Sequence, residues 1–126
     1  MKTNKILGTA LLVGLLSACT HTNKYTLYFD NGSSTLTKEN KQKLMKITSD
    51  AKFDKAKVVI SGHADGKGNL KDNIKLSDKR VIATDKEIVE LGVMPKKLVK
   101  LASSEKSVSP GKDLSQERRV DITVTK

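Results

Sequence analysis

Residues 57–80 read KVVISGHADGKGNLKDNIKLSDKR, and this stretch decides the fold. Val58, Val59 and Ile60 form an unbroken β-branched run, the pattern of a strand buried on both faces. Gly62, Gly66 and Gly68 then punctuate a loop at that strand's C-terminal end. Asn69 has the chemistry of a helix N-cap, and Asp72 falls in the first turn, where the helix dipole favours negative charge. Strand, glycine loop and capped helix together make one α/β unit. In such units ligand crevices lie at the C-terminal ends of strands.

The helix entered here covers residues 70–91. Ile74, Val81 and Ile88 recur every seven residues, with Leu70, Ser77, Thr84 and Leu91 as the adjacent row. Small Ser77 and Thr84 would let the helix lie close on a sheet. Periodicity alone leaves a break near residue 76 open. Gly92 is a C-terminal stop and Pro95 prevents continuation. Residues 97–102 (KLVKLA) predict a short strand, and 103–112 a Ser/Gly/Pro-rich loop. Residues 118–125 (RRVDITVT) alternate, with Val120, Ile122 and Val124 on one face, and predict a last strand that suits a sheet edge. On the N-terminal side, residues 25–30 (YTLYFD) predict a strand and Asn31 to Ser34 a turn. Thr37 caps an amphipathic helix over 38–49 that carries Leu44, Met45 and Ile47. The order is β-α-β-α-β-β. It describes an α/β (α+β) sandwich, one mixed sheet covered by two helices.

Residues 6–18 are apolar or small and follow Lys2 and Lys5. That run is short of the roughly 20 residues a membrane span needs, and its layout is that of a secretory signal peptide. Residues 1–18 are therefore expected to be removed. Cys19 is the only cysteine, which excludes an intramolecular disulfide. Leu16-Ser17-Ala18-Cys19 resembles a bacterial lipobox, whose cysteine carries the lipid anchor. Thr20, in place of an inner-membrane-retaining Asp, points to the outer membrane and its periplasmic face. Residues 19–24 then form the lipidated Cys and a short tether, and 25–126 the domain.

Without Lys2 and Lys5 the chain has 22 basic and 14 acidic residues, a net charge of +8. Charge alone would suggest nucleic acid. An envelope location argues against it, as does an aromatic set limited to Tyr25, Tyr28, Phe29 and Phe53. The lysine excess suits a solvated surface, anionic wall polymers or lipid headgroups. An enzyme would need a paired-carboxylate cleft, a Cys–His pair or a metal cluster. Cys19 is committed to the lipid, and His21 and His63 have no supporting ligands in the sequence, so neither catalysis nor metal binding is expected.

The segment Ala64 to Arg80 resembles the signature of the OmpA-like C-terminal domain family of peptidoglycan-binding proteins. Asp65, Gly68, Asn73, Leu76, Ser77 and Arg80 fall in register with its Asp, Gly, Asn, Leu-Ser and Arg. Gly92-Val93, Arg118-Arg119-Val120, Phe29 and Leu36 extend the likeness over residues 25–126. The chain as a whole resembles a small lipoprotein of the peptidoglycan-associated type. The resemblance implies non-covalent binding of peptidoglycan through meso-diaminopimelate of the stem peptide, tethering membrane to wall. Asp65 would accept from the ligand's distal ammonium and Arg80 would grip its carboxylate. Asn73 and Leu76 would complete the site, with Gly66, Gly68, Asn31 and Arg118 in support. No cofactor is implied.

The chain departs from the family pattern at Ala64, Val81 and Glu117. It also has Asn31 and Gly32 where many members place an aromatic and a carboxylate. From the residues alone, Asp65 also suits a loop cap, and Arg80 a structural salt bridge with Asp65 or Asp78. The family also includes subunits of trans-envelope secretion or conjugation machines, so a protein complex is the alternative partner.

Overall fold

The architecture follows from where the alternating strands can bury their apolar side. The computed structural model describes residues 20–52, 55–101, 108–109 and 114–126. The expected signal peptide, Cys19 and most of the 103–112 loop lie outside these residues. In chain order the elements are β1 (Thr22–Tyr28), α1 (Lys38–Ala51), β2 (Lys57–Gly62), β3 (Ala64–Asp65) and α2 (Leu70–Glu90). One 3-10 turn (Pro95–Lys97) then leads into β4 (Leu98–Leu101), followed by β5 (Val108–Ser109), α3 (Leu114–Glu117) and β6 (Arg119–Thr125).

The main sheet has the order β1-β6-β2-β4. The pairings β1–β6 and β6–β2 are antiparallel and β2–β4 is parallel, so the sheet is mixed as expected. The last strand is not at an edge. Ile122 lies opposite Tyr25 on one side and Ile60 on the other. Its apolar row, Val120, Ile122 and Val124, is wholly buried under the helices, and its backbone is paired on both sides.

Burial alternates along β2 and β6, because α1 and α2 cover one face of the sheet and leave the other towards solvent. Val59 is therefore half-buried, and the expectation of a strand buried on both faces is corrected. Leu44 and Ile47 from α1 and Val81 and Ile88 from α2 meet Leu27, Val58, Ile60, Val120, Ile122 and Val124 in the core. Phe29 is the one aromatic side chain among these buried core residues.

α2 runs unbroken through residue 76 for 21 residues. Ser77 and Thr84 are fully buried against the sheet. The approach is close because β2 ends in Gly62: a Cβ there would lie 2.7 Å from the Ser77 carbonyl oxygen and 2.6 Å from Val81 Cγ2. Asn69 caps α2 by accepting from the backbone N–H of Lys71 and Asp72. Thr37 caps α1 by accepting from the Asn40 N–H at 3.1 Å. Asn40, buried, donates 2.8 Å to the Tyr28 carbonyl and so fixes the start of α1 on the end of β1.

The structure adds features that the sequence reading lacks, among them α3 and the 3-10 turn. β1 begins at Thr22, not at residue 25, since Thr22, Asn23 and Lys24 pair with Thr125, Val124 and Thr123. His21 and Lys126 continue the ladder by exchanging backbone bonds of 3.3 and 2.9 Å. A second, two-stranded parallel sheet joins β3 to β5. No helix among the described residues is long and apolar enough to cross a membrane.

Candidate functional site

β1 and β2 both finish at the same end of the sheet, and the loops that leave them enclose a cleft of about 130 Å³. That is smaller than the roughly 300–1,000 Å³ of pockets that enclose drug-sized ligands. Its volume fits the end of a side chain rather than a whole saccharide. Asp65, Arg80, Asn73, Leu76, Asn31 and Arg118 all line it, together with Gly32, Ala64 and Lys67.

Arg80 projects from the fourth residue beyond Leu76 on α2 and is 0% exposed. Its guanidinium is held by main-chain carbonyls rather than by a carboxylate. Nε donates to Ser33 at 2.8 Å, Nη1 to His63 at 3.3 Å and Nη2 to Asp30 at 3.2 Å. The Phe29 ring lies 5.3 Å away, in cation–π range. The salt bridges with Asp65 or Asp78 that the sequence left open are not how Arg80 is held. Burial pulls its pKa down, Arg118 adds to that, and Asp65 opposes it. The group stays protonated regardless. One further N–H on each terminal nitrogen is left by these three bonds.

The Asp30–Ser33 turn that Arg80 grips is closed by the Ser33 N–H donating to the Asp30 carbonyl at 3.1 Å. Gly32 occupies φ +67°, a conformation that favours glycine there. Arg80 thus joins the loop after β1 to the β2–β3 junction.

Asp65 is placed by β3 and its side chain is 13% exposed. Oδ1 accepts from the Lys67 N–H at 3.2 Å. Oδ2 lies 3.7 Å from Arg118 Nη1, an ion pair too long for a hydrogen bond. Arg118 Nε donates to the Phe29 carbonyl at 3.3 Å. Asn73 does not reach into the ion pair. Its Nδ2 donates to the Lys67 carbonyl at 2.9 Å and holds the glycine loop. The two supporting glycines, Gly66 and Gly68, are both exposed and neither lines the cleft, and Gly68 has φ +92°. Lys67 was missed by sequence reasoning, although its place between two glycines at the mouth of the loop was visible. Arg80, Arg118 and Lys67 against Asp65 give the cleft a cationic excess with one carboxylate inside it.

Arg119 turns to the open face, where it bonds the Gln116 carbonyl, Glu117 and Asp121. Asp121 also lies 3.1 Å from His63 Nε2. Partial burial pushes the Asp121 carboxyl up, but His63 and Arg119 outweigh it and hold the group below the usual carboxylate value. Ser61 Oγ approaches the same Nε2 at 3.5 Å. A nucleophile relay needs the serine and the carboxylate on opposite ring nitrogens, so this cluster lacks that geometry. No group of three or more His, Cys, Asp or Glu able to hold a metal occurs among the described residues.

The OmpA family model matches residues 28–120. The peptidoglycan-associated lipoprotein of Pseudomonas aeruginosa is 33% identical over 101 residues, covering 77% of this chain and 60% of that protein. Its counterpart in Pseudomonas putida is 32% identical over 101 residues, covering 77% and 61%. The chain thus spans about three-fifths of the length of these curated relatives. Among solved structures, the crystal structure of the peptidoglycan-associated lipoprotein from Burkholderia pseudomallei superposes with a TM-score of 0.69. It is 28% identical, with 79% of this chain and 88% of that one covered. The OmpA-like domain of FopA1 from Francisella tularensis shares the fold at a TM-score of 0.69 and 21% identity, covering 87% of this chain and 76% of that one.

Proposed function

The chain belongs to the OmpA family, and from that premise we propose that it is an envelope lipoprotein that binds peptidoglycan non-covalently. Its cleft takes the distal end of meso-diaminopimelate in the stem peptide, and its Cys19 lipid fixes it to the periplasmic face of the outer membrane. The protein acts as a binding module, not as an enzyme, and needs no cofactor.

One observation carries the ligand assignment: a carboxylate and a buried guanidinium line one small cleft without being spent on each other. The distal end of the ligand offers an ammonium and a carboxylate. Asp65 receives the ammonium, because its 3.7 Å pair with Arg118 is a loose contact that a better-placed cation can replace. The ligand carboxylate accepts from the remaining N–H groups of Arg80 and from Arg118, which Asp65 then releases. The carbonyl clamp orients Arg80 before the ligand arrives, so little side-chain freedom is lost on binding. Asn73 positions the loop that bears Lys67, and Leu76 supplies an apolar wall. A weak single site suffices, since many copies in one membrane face one polymer.

The test is co-sedimentation of residues 20–126 with purified diaminopimelate-type sacculi, wild type beside Asp65→Asn. Wild type in the pellet and the variant in solution is the expected result. Wild type remaining in solution would refute wall binding and favour the second reading, a scaffold subunit of an envelope complex. Asn31 and Gly32, in place of the aromatic and carboxylate of many relatives, make that reading specific. Palmitate labelling that disappears in Cys19→Ser tests the anchor.

A further inference from the structure

Both ends of the sheet carry cations, but they differ in how many acids stand among them. The cleft lies where β1 and β2 finish. At the other end β2 begins with Lys57, opposite Thr125 of β6. Lys52 follows α1, and its ammonium lies 3.8 Å from where a Cβ on Gly92 would stand, just past α2. Lys97, on the 3-10 turn before β4, donates to the Lys52 carbonyl at 3.2 Å. Lys52, Lys55, Lys57 and Lys96 are exposed and make no ion pair among the described residues. Of the described acids near them, Asp50 is engaged by Tyr25 and Lys126, and Glu90 by Lys86. At the cleft end, by contrast, Asp65, Asp72 and Glu117 stand among the cations.

The lysine-rich end is also the one that receives the chain from Cys19. Because His21 already pairs with Lys126, Thr20 is the single residue between Cys19 and the sheet ladder. Two Cα steps reach at most about 7.6 Å. That is close to the Debye length of about 8 Å at physiological salt, so charges at this end are only partly screened from a surface that holds Cys19.

We infer that Lys52, Lys55, Lys57 and Lys96 form a membrane-contact surface that rests on anionic phospholipid headgroups and turns the cleft away from the bilayer. The orientation rests on the proposal that Cys19 carries lipid; the headgroup affinity does not. Each lysine held near an anionic surface contributes about fivefold in partitioning, so losing four weakens it by up to several hundredfold.

The experiment uses residues 20–126, which hold every described strand and core side chain and lack Cys19. The fragment is expected to sediment with phosphatidylglycerol vesicles and not with phosphatidylcholine vesicles, and added salt should release it. Replacing Lys52, Lys55, Lys57 and Lys96 by Gln should abolish sedimentation, with an unchanged thermal melt as the fold control. Replacing Lys38, Lys71, Lys75 and Lys79 by Gln, the same charge change elsewhere, should leave it largely intact. Equal loss in both variants, or no sedimentation of wild type with phosphatidylglycerol, overturns the inference. Release by inorganic phosphate beyond that by chloride of equal ionic strength also overturns it, in favour of a free-phosphate site. A palmitate-labelled Cys19 in the full chain with no vesicle binding by the fragment refutes this surface and leaves the anchor standing. Vesicle binding with an unlabelled Cys19 supports the surface and refutes the anchor.

Discussion

Arg80→Met should separate what Arg80 does for the fold from what it does for a ligand. Methionine keeps much of the stem in the buried slot and deletes the guanidinium. Three carbonyls then lose a donor, those of Ser33, His63 and Asp30. Asp30 is exposed and Ser33 half-exposed, so water can replace part of what those two lose. The His63 carbonyl faces an apolar methionine instead, and a buried acceptor without a donor costs about 1–3 kcal/mol. Adding about 1 kcal/mol for each rehydrated carbonyl gives roughly 3–5 kcal/mol. Relief from burying a charge brings the net to about 3 kcal/mol.

A domain of this size loses about 4–8 °C per kcal/mol, so the melting temperature should fall by about 12–24 °C. Urea melts of wild type, Arg80→Met and Arg80→Lys provide the assay. The lysine variant should fall between the other two, because one ammonium cannot span three carbonyls. A methionine variant within about 1 kcal/mol of wild type would refute the clamp argument, since these bonds would then contribute nothing net. The same number explains why a sacculus assay on an Arg80 variant conflates folding with binding, whereas Asp65→Asn leaves the clamp intact.

Gly62→Ala should destabilise by about 1–3 kcal/mol in thermal or urea melts, because the new methyl meets the Ser77 carbonyl, a backbone atom with little freedom to yield. An unchanged melt would show that α2 can lift from β2 without loss. Asp121 and Asp50 are both held below the ordinary carboxylate value, Asp121 by His63 and Arg119 against the effect of its burial, Asp50 by the Tyr25 hydroxyl first and then Lys126. Their stabilisation is therefore complete above an unfolded pKa near ~3.9 and is lost as the pH falls below it towards the folded values. Asp121→Asn should flatten that part of the stability profile, and an identical acid limb in the variant would refute the assignment.

The periodic elements were legible because their side chains carry the information. The α2 face, its Asn69 cap and its Gly92 stop are all written in residue types at fixed offsets, and so is the alternation of Val120, Ile122 and Val124. What was not legible depends on backbone partners. Thr22 to Lys24 show no alternation worth reading, yet their main chain pairs with β6. β3 and β5 are two residues each, too short for any period. The central place of β6 is a matter of topology, since the same alternation would serve an edge. At the site, the sequence supplied a set of lining residues, Asp65, Asn73, Leu76, Arg80, Asn31 and Arg118. It could not supply the clamp on Arg80, because the three acceptors are carbonyls, which every residue type possesses equally.

The middle position of β6 has a temporal consequence. The strand that joins β1 to the β2–β4 pair is the last of the main sheet's strands to leave any machine that delivers the chain N-terminus first. Until residues 119–125 arrive, β1 has no partner in the main sheet, and the apolar rows of β1 and β2 have no third row between them. The sheet cannot close early on a half-delivered chain, because its pairings are long-range in sequence. The polypeptide therefore stays threadable for nearly its whole length and commits to its shape only when the final strand drops between the other two.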